Sequence, residues 1–600
     1  MTHPRDEYSR RLALQEEAFQ KEHRLHIRFG NAKLAAVALS IVLILLVVSH
    51  KPVPAWTLVI PAVAYLILAI AHELTLRARS RAARVAAFYG AGIARMEDRW
   101  PGMGQTGESF RAAKHVYAAD LDLFGRGSLF ELLSTARLPM GEKCLADWLL
   151  SPSSRASVLE RQQLVTELRP NIDLREQIAV LGSSLQARLE PESLLQWAEA
   201  PPLMTSLAWR LAVAFLALCA TAGIAYYFAT AVAWPVLGVF LIELAVLIFF
   251  RRRSKQPIEA LGSNAEGLQL FSKLLYRIEQ ESFSSPRLNS FAGDLKSGPQ
   301  SASHAVQRLA RVVYWIDSRD NLLAKLAELP LLYTIQVAFL ADSWRRRWGK
   351  QLRRWTEIAG EMEALLSLAG YSYEHPQDPF PELLEERAEA AEPAFLLGEE
   401  LGHPLIPEAR SIRNSVRLDS QTRVLVVSGS NMSGKSTLLR VVGINSVLAF
   451  AGAPIRGKSL CLSPLSVGTR IRSTDSLQEG RSSFFTEILQ IREVFQSSNG
   501  ARPLLFLFDE LLEGTNSKDR RIGAEGLLRG LLSRGAIGII TTHDLALTDI
   551  AQQLDGLARN MHFEDQVSGN EMKFDYHLRE GVVTRSNAIA LMKIVGLDVG

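Results

Sequence analysis

The residues best equipped for chemistry stand together at Gly429–Thr437, which reads GSNMSGKST. This is the G-x-x-x-x-G-K-[ST] spacing of a loop that wraps nucleotide phosphates. In such a loop the backbone N–H groups across Gly429, Ser430, Asn431, Met432, Ser433 and Gly434, and at the N-terminus of the following helix, point at the phosphates. Lys435 would reach the β- and γ-phosphates, and the hydroxyl of Ser436, next to Thr437, would ligate Mg²⁺. Downstream, the apolar run PLLFLFDE ends in Asp509 and Glu510. Asp509 is placed to hold Mg²⁺ through its water shell, and Glu510 to polarise an attacking water. A third run, AIGIITTH, ends in His543, where an imidazole can sense a γ-phosphate by hydrogen bond. An acidic pair or a single histidine at a strand end is ordinary on its own. Following a phosphate loop, they form a nucleotide-hydrolysis set.

The elements that must position these residues are also legible. RVLVVSG before the loop is a β-branched run and predicts a buried strand; STLLRVVGINSVLAFAG after it predicts a helix. Strand, glycine loop and helix is the context the motif requires. Between the loop and the acidic pair, DSLQEGRSSFFTEILQIREVF predicts a loop and then a helix entered through Ser482 or Ser483. Glu487 falls near its first turn, where acidic residues are favoured.

Together these segments resemble the MutS family of DNA mismatch-repair ATPases. SNMSGKST is similar to the family's P-N-M-G-G-K-S-T. DSLQEGRSSFFTE at Asp475–Glu487 resembles its signature segment, D-D-L-x-x-G-x-S-T-F-M-x-E. DELLEGTNSKDR at Asp509–Arg520 resembles D-E-L-G-R-G-T-S-x-x-D-G, and TTHD its T-H segment. GHPLI at Gly402–Ile406, NSVRL at Asn414–Leu418 and the closing stretch from Phe574 add to the likeness. Upstream, DLDLFGRGSLFELLSTARLPMGEKCLADWLLSP resembles the core domain, and EMEALLSLA at Glu361–Ala369 the end of the lever helices. The resemblance implies ATP and Mg²⁺ as ligands and a head-to-tail homodimer with composite ATP sites. In that pair Ser482, or Ser483 as runner-up, contacts the nucleotide of the other subunit. The chain departs from the family where LLEG replaces LGRG, where the mismatch-recognition domain is expected, and where C-terminal dimerising helices are common.

The remaining signals concern a membrane. The chain has 600 residues, 48% hydrophobic and 22% charged, with a net charge of +4. That length predicts several folding units, and the charge selects no partner. Cys144, Cys219 and Cys461 have neither disulfide-framework nor zinc spacing, which fits a reducing compartment. Two pairs of apolar runs, at about Lys33–Ser49 with Trp56–Ala71 and Leu211–Ala229 with Trp234–Phe250, predict two transmembrane hairpins. Arg24, Arg28 and Lys33, then Arg77, Arg79, Arg81 and Arg84, and finally Arg251, Arg252, Arg253 and Lys255 flank them. The short links carry almost no positive charge, so the hairpin ends belong in the cytosol and the protein in the inner membrane. The first 30 residues predict an exposed cytosolic helix. Glu243 lies inside the fourth run without a sequence partner and is read as packed or snorkelling. WRRRWGKQLRRW at Trp344–Trp355 fits a packed lever, an anionic-lipid surface or a single-strand surface. The acidic run EERAEAAE at Glu385–Glu392 reads as a linker or a solvated helix end.

The expected fold is an α/β P-loop ATPase domain, ABC-like and of MutS type, C-terminal to a mostly α-helical core and lever region with two transmembrane hairpins. The segments are a charged helix at 1–32, hairpins at 33–75 and 207–254, helical core and lever at 76–206 and 255–385, and the ATPase at 386–600. The expected function is an ATP-driven dimeric clamp at the cytosolic membrane face, acting on lipid or on a membrane or cytosolic protein. The alternative is a membrane-tethered ATPase that binds mismatched or branched DNA. A transporter is disfavoured, because four helices per chain carry no polar intramembrane row beyond Glu243.

Overall fold

A computed structural model describes residues 3–49, 54–112, 114–185, 191–201, 206–259, 265–318, 322–385, 394–430, 432–471, 483–568 and 571–583. The helices that matter for the site are, in chain order, α1 (Pro4–Val48), α2 (Val59–Met96), α3 (Pro139–Leu150), α4 (Ile172–Leu185), α5 (Leu207–Thr230) and α6 (Trp234–Glu259). They continue with α7 (Leu322–Leu331), α8 (Tyr333–Glu374), α9 (Lys435–Ala451), α10 (Ser483–Ser497) and α11 (Ser517–Leu532).

α1 begins behind His3, whose ring accepts the Arg5 N–H, with Pro4 at the first helical position. It runs unbroken from its charged stretch through Lys33 into the apolar run, and α2 returns antiparallel to it. The expected boundaries near residues 32 and 75 therefore fall inside continuous helices. Leu34, Ile41, Leu45, Ile60, Leu66 and Ile67 on the apolar part are exposed. Three helices, Pro4–Val48, Trp56–Met96 and Leu207–Thr230, are long and apolar enough to cross a membrane, and Trp234–Phe250 is a shorter apolar helix.

The charged end of α1 is docked, contrary to the expectation of a free surface helix. Tyr8 is buried, with ring centroids 5.4 Å from Tyr89 and 5.5 Å from Tyr373. Arg175 of α4 donates to the Tyr8 hydroxyl at 3.0 Å. Beside it Arg95 of α2 forms a two-pronged ion pair with Glu374, the last residue of α8, with Nε to Oε2 at 2.7 Å. Sequence reasoning missed this joint because its members lie hundreds of residues apart and Tyr8 is the sole aromatic of its turn.

α5 and α6 form a second hairpin, turned through Ala231 at φ 57°. It packs on α7 and α8, with Phe250 and Phe339 rings 6.5 Å apart. Glu243 does not snorkel. Its carboxylate is buried within this packing, and neither oxygen has a hydrogen-bond partner among the described residues. The basic-aromatic stretch lies in α8 and resolves as a packed lever. Trp344, Trp348 and Trp355 are buried, and the Trp344 indole donates to the Ala305 carbonyl at 2.7 Å. Arg345 pairs with Asp342 inside the core, Arg353 with Glu199 at 2.6 Å, and Arg354 with Asp294 at 2.9 Å. Three of the stretch's arginines are thus paired with carboxylates, while Arg346, Arg347 and Lys350 stay exposed.

The C-terminal domain is built on β1 (Leu396–Leu401), β2 (Asn414–Leu418), β3 (Val424–Ser428), β4 (Ser459–Leu462) and β5 (Ser466–Arg470). β6 (Leu504–Phe508), β7 (Ile537–Thr542), β8 (Ala558–Ser568) and β9 (Glu571–Glu580) complete it. The main sheet runs in the order β9-β8-β3-β7-β6-β5, parallel except for the β8–β9 pair. β3, β6 and β7 are buried throughout, which is why they read as unbroken apolar runs. A smaller sheet orders Glu382–Leu383, β4, β1 and β2. Asp120 ties the two regions, accepting from the Thr469 hydroxyl and the Ile471 N–H, each at 2.8 Å.

Glu363, buried on α8, accepts the N–H groups of Arg137 and Leu138 at 3.3 and 2.9 Å and so caps α3. Burial pushes its carboxyl up to about 8 despite those bonds. The folded state therefore binds a proton that the unfolded state has released. Stability should fall as pH rises from about 4.5 to about 8. Melting curves across that window should show the loss in the wild type and a flatter dependence in Glu363→Gln.

Candidate functional site

β3 delivers the phosphate loop and α9 leaves it. Gly434 turns the chain at φ 105°, and a Cβ there would stand 3.0 Å from the Tyr576 ring. The N-terminus of α9 then opens into the loop, with the Lys435 ammonium donating to the carbonyls of Gly429 and Ser430 at 2.9 and 2.7 Å. Lys435 is buried, so its charge is held by the loop and not by solvent. The Ser433 hydroxyl is also buried and has no hydrogen-bond partner among the described residues. Met432 is exposed at the loop tip, at φ 74°.

The strand register brings the carboxylates to this loop. Phe508 pairs with Ile540, so the next residues, Asp509 and Thr541, are neighbours. The Thr541 hydroxyl donates to the Asp509 carboxylate and accepts the Glu510 N–H at 3.1 Å. One hydroxyl thus fixes both acidic residues. Glu510 sits at φ 47° and Leu512 at φ 57°, left-handed positions that cost a side-chain-bearing residue about 1–2 kcal/mol. The tight turn is held from outside. The buried Glu487 of α10 accepts the Leu512 N–H at 2.9 Å and lies 3.6 Å from Arg470. Arg520 of α11 donates to the carbonyls of Leu512, Glu513 and Thr515. Sequence reasoning placed Glu487 as a helix-entry residue; its work as a brace needs the tertiary contact.

His543 follows β7, with Nδ1 3.7 Å from Glu510 and 3.9 Å from Glu513. Burial, and then the neighbouring Glu513 carboxyl, hold Glu510 above the ordinary carboxylate range. Glu513 belongs to the LLEG departure and was not singled out by sequence.

Lys435, Asp509 and Glu510 share one cleft of about 730 Å³ with Ser436, Thr437, His403, Asn414, Phe563 and Tyr576, whereas His543 and Glu513 are not among the residues that line it. His403 Nδ1 accepts the Leu405 N–H at 3.2 Å, which leaves Nε2 to carry the proton. Burial, then the nearby Arg440 charge, pushes the imidazole down to about 4 and keeps it neutral. Tyr576 occupies a bulge in β9 at φ 55°. Asn414 fixes that bulge, donating to the Tyr576 carbonyl at 2.9 Å and accepting the Leu578 N–H at 2.8 Å. Asn431 and Ser482 lie outside the described residues, as do the acidic run from 386 and the chain from 584; of Ser483 only the helical backbone is described.

The residues present fit a nucleotide with Mg²⁺. A buried ammonium and the N-terminus of α9 face the same space as a buried carboxylate. Oxygen donors from Ser436 and Asp509 match a hard cation.

A phosphate loop beside two carboxylates at the strand ends of a parallel sheet defines a P-loop ATPase. Residues 425–599 match the family model MutS domain V, and this domain is accordingly an ABC-like ATPase domain of the MutS type. The endonuclease MutS2 of Thermus thermophilus is 34% identical over 197 residues, 32% of this chain and 25% of that protein. The aligned part thus spans about a quarter of the length of the relative.

Groups that orient a metal-binding or catalytic carboxylate typically contribute 10–100-fold to activity. Thr541→Val keeps the shape and removes the hydroxyl. It should lower ATP turnover at least tenfold and change nucleotide affinity little, as measured by steady-state assay and nucleotide titration.

Proposed function

We propose that this protein is a membrane-anchored ATPase that works as a homodimer and uses ATP binding and hydrolysis to drive a clamp-type movement at the cytosolic membrane face. The observation that carries the reading is the pairing of exposed apolar helices with buried contacts to α8, the long helix that leads to the ATPase. Contiguous apolar surface of this extent is costly in water and suits hydrocarbon. From the joint at Tyr8 and Glu374, α1 extends about 25 residues, or about 38 Å, before its apolar run. α8 extends about 35 residues, or about 52 Å, to the ring contact with the second hairpin. Both apolar parts thus stand well away from the joint.

Within the site, the loop N–H groups and Lys435 bind the phosphates, and Ser436 and Asp509 hold Mg²⁺. That ion neutralises charge on the β- and γ-phosphates when bound. Glu510, held by Thr541, polarises the attacking water, and His543 donates toward the γ-phosphate. Ser482 or Ser483 of the second subunit completes the pocket from across the dimer. Tyr576 and His403 flank the base. Replacement of Glu510 by Gln keeps nucleotide binding and cuts hydrolysis by on the order of a hundredfold. Turnover at the wild-type rate would remove Glu510 from the role of general base.

A second reading, a membrane-tethered ATPase that binds mismatched or branched DNA, is favoured by the similarity to a protein named as an endonuclease. Steady-state ATP turnover in nanodiscs separates the two. The full-length chain is assayed without DNA, with homoduplex, with a mismatched duplex and with a four-way junction, against Glu510→Gln as blank. Indifference to DNA with sensitivity to lipid composition is expected, and structure-dependent stimulation by DNA would transfer the proposal to the second reading. Orientation is tested separately. In a cysteine-free background, a cysteine at Pro52 should react with an impermeant reagent from outside and one at Ser80 should not; the reverse would overturn the topology.

A further inference from the structure

The stalk of the first hairpin carries three histidines on facing helix surfaces. His23 and His26 are one turn apart on α1, and His72 lies opposite on α2. His26 Nδ1 and His72 Nε2 point at each other across 2.6 Å. His72 is nine-tenths buried. The rings form a stacked series, with His26 4.8 Å from His72 and 6.2 Å from His23, and Phe19 stacked on the far side of His23. His23 Nδ1 is buried and has no hydrogen-bond partner among the described residues. These groups lie below the apolar runs and outside the nucleotide cleft.

We propose that His26 and His72, joined by His23, form a binding site for a divalent transition-metal ion that clips α1 to α2. Two imidazole nitrogens in contact can share only one proton, and each offers a lone pair once that proton leaves. A cation that prefers imidazole, Zn²⁺ or Cu²⁺, replaces it. Zinc–nitrogen bonds are about 2.0–2.1 Å long, which places two imidazole centres on a tetrahedral ion about 5 Å apart. The 4.8 Å separation of His26 and His72 fits that spacing after the nitrogens part by roughly three-quarters of an ångström, a side-chain rotation. His23, on the same face at i−3, is placed to give the third nitrogen by rotating its χ angles. The site joins the two helices at the base of the apolar hairpin, so metal there stiffens the stalk that ends at Arg95 and Tyr8.

The test uses full-length, tag-free protein in nanodiscs, stripped by chelator and titrated with Cu²⁺, with Zn²⁺ as competitor. One Cu²⁺ per chain with nitrogen superhyperfine splitting from at least two imidazoles is expected in the electron paramagnetic resonance spectrum. His26→Ala and His72→Ala should each weaken that binding at least tenfold, and His23→Ala less. His543→Ala, which alters the separate Glu510, Glu513 and His543 cluster, should leave it unchanged. ATP turnover near the wild-type rate confirms that each stalk variant is folded. A wild-type spectrum without imidazole nitrogen coupling, or binding that survives loss of both His26 and His72, would overturn the site.

Discussion

The structure turns on the ion pair between Arg95 and Glu374. It fastens the base of the first apolar hairpin to the C-terminal end of the 42-residue helix α8, which precedes the ATPase domain. Two charges taken out of water are costly unless their geometry is good. Here two parallel hydrogen bonds satisfy the carboxylate, and the aromatic cluster of Tyr8, Tyr89 and Tyr373 excludes water around it. A pair buried in this way specifies one docking geometry, because a shift of either helix strands a charge.

From that joint, polar contacts lead to the nucleotide cleft. Tyr371, one turn back on α8, donates to Asp378 at 3.4 Å, and Arg456 reaches the same carboxylate at 3.2 Å. The backbone N–H of Arg456 donates to Asn445 on α9, whose amide in turn donates to the Gly402 carbonyl beside His403. α9 is the helix whose N-terminus opens into the phosphate loop. These contacts form a continuous path from the end of α8 to α9.

The site follows the same logic on a smaller scale. Its reactive groups sit on a turn that is strained at Glu510 and Leu512, and residues outside the turn hold the strain in place. Thr541, Glu487 and Arg520 come from three different elements. α10, through Glu487, therefore touches the turn that follows Asp509, while the segment before it is the part that the family likeness implies would meet a partner's nucleotide.

The sequence alone determined the phosphate loop, the acidic strand end, the terminal histidine and the apolar runs. Each is a local pattern, in which chemistry and spacing are set within about ten residues of chain. The parallel sheet followed, since unbroken apolar strands alternating with helices pack in few ways. Tertiary structure decided the rest. Tyr8 reads as surface until Tyr373 covers it, Glu487 as an N-terminal acid until Leu512 meets it, and Arg353 and Arg354 as a free basic patch until Glu199 and Asp294 neutralise them. The roles of His403, Asn414 and Tyr576 come from a cleft formed by segments more than a hundred residues apart. Burial and pairing are properties of the neighbours that folding supplies, and a linear pattern does not contain them.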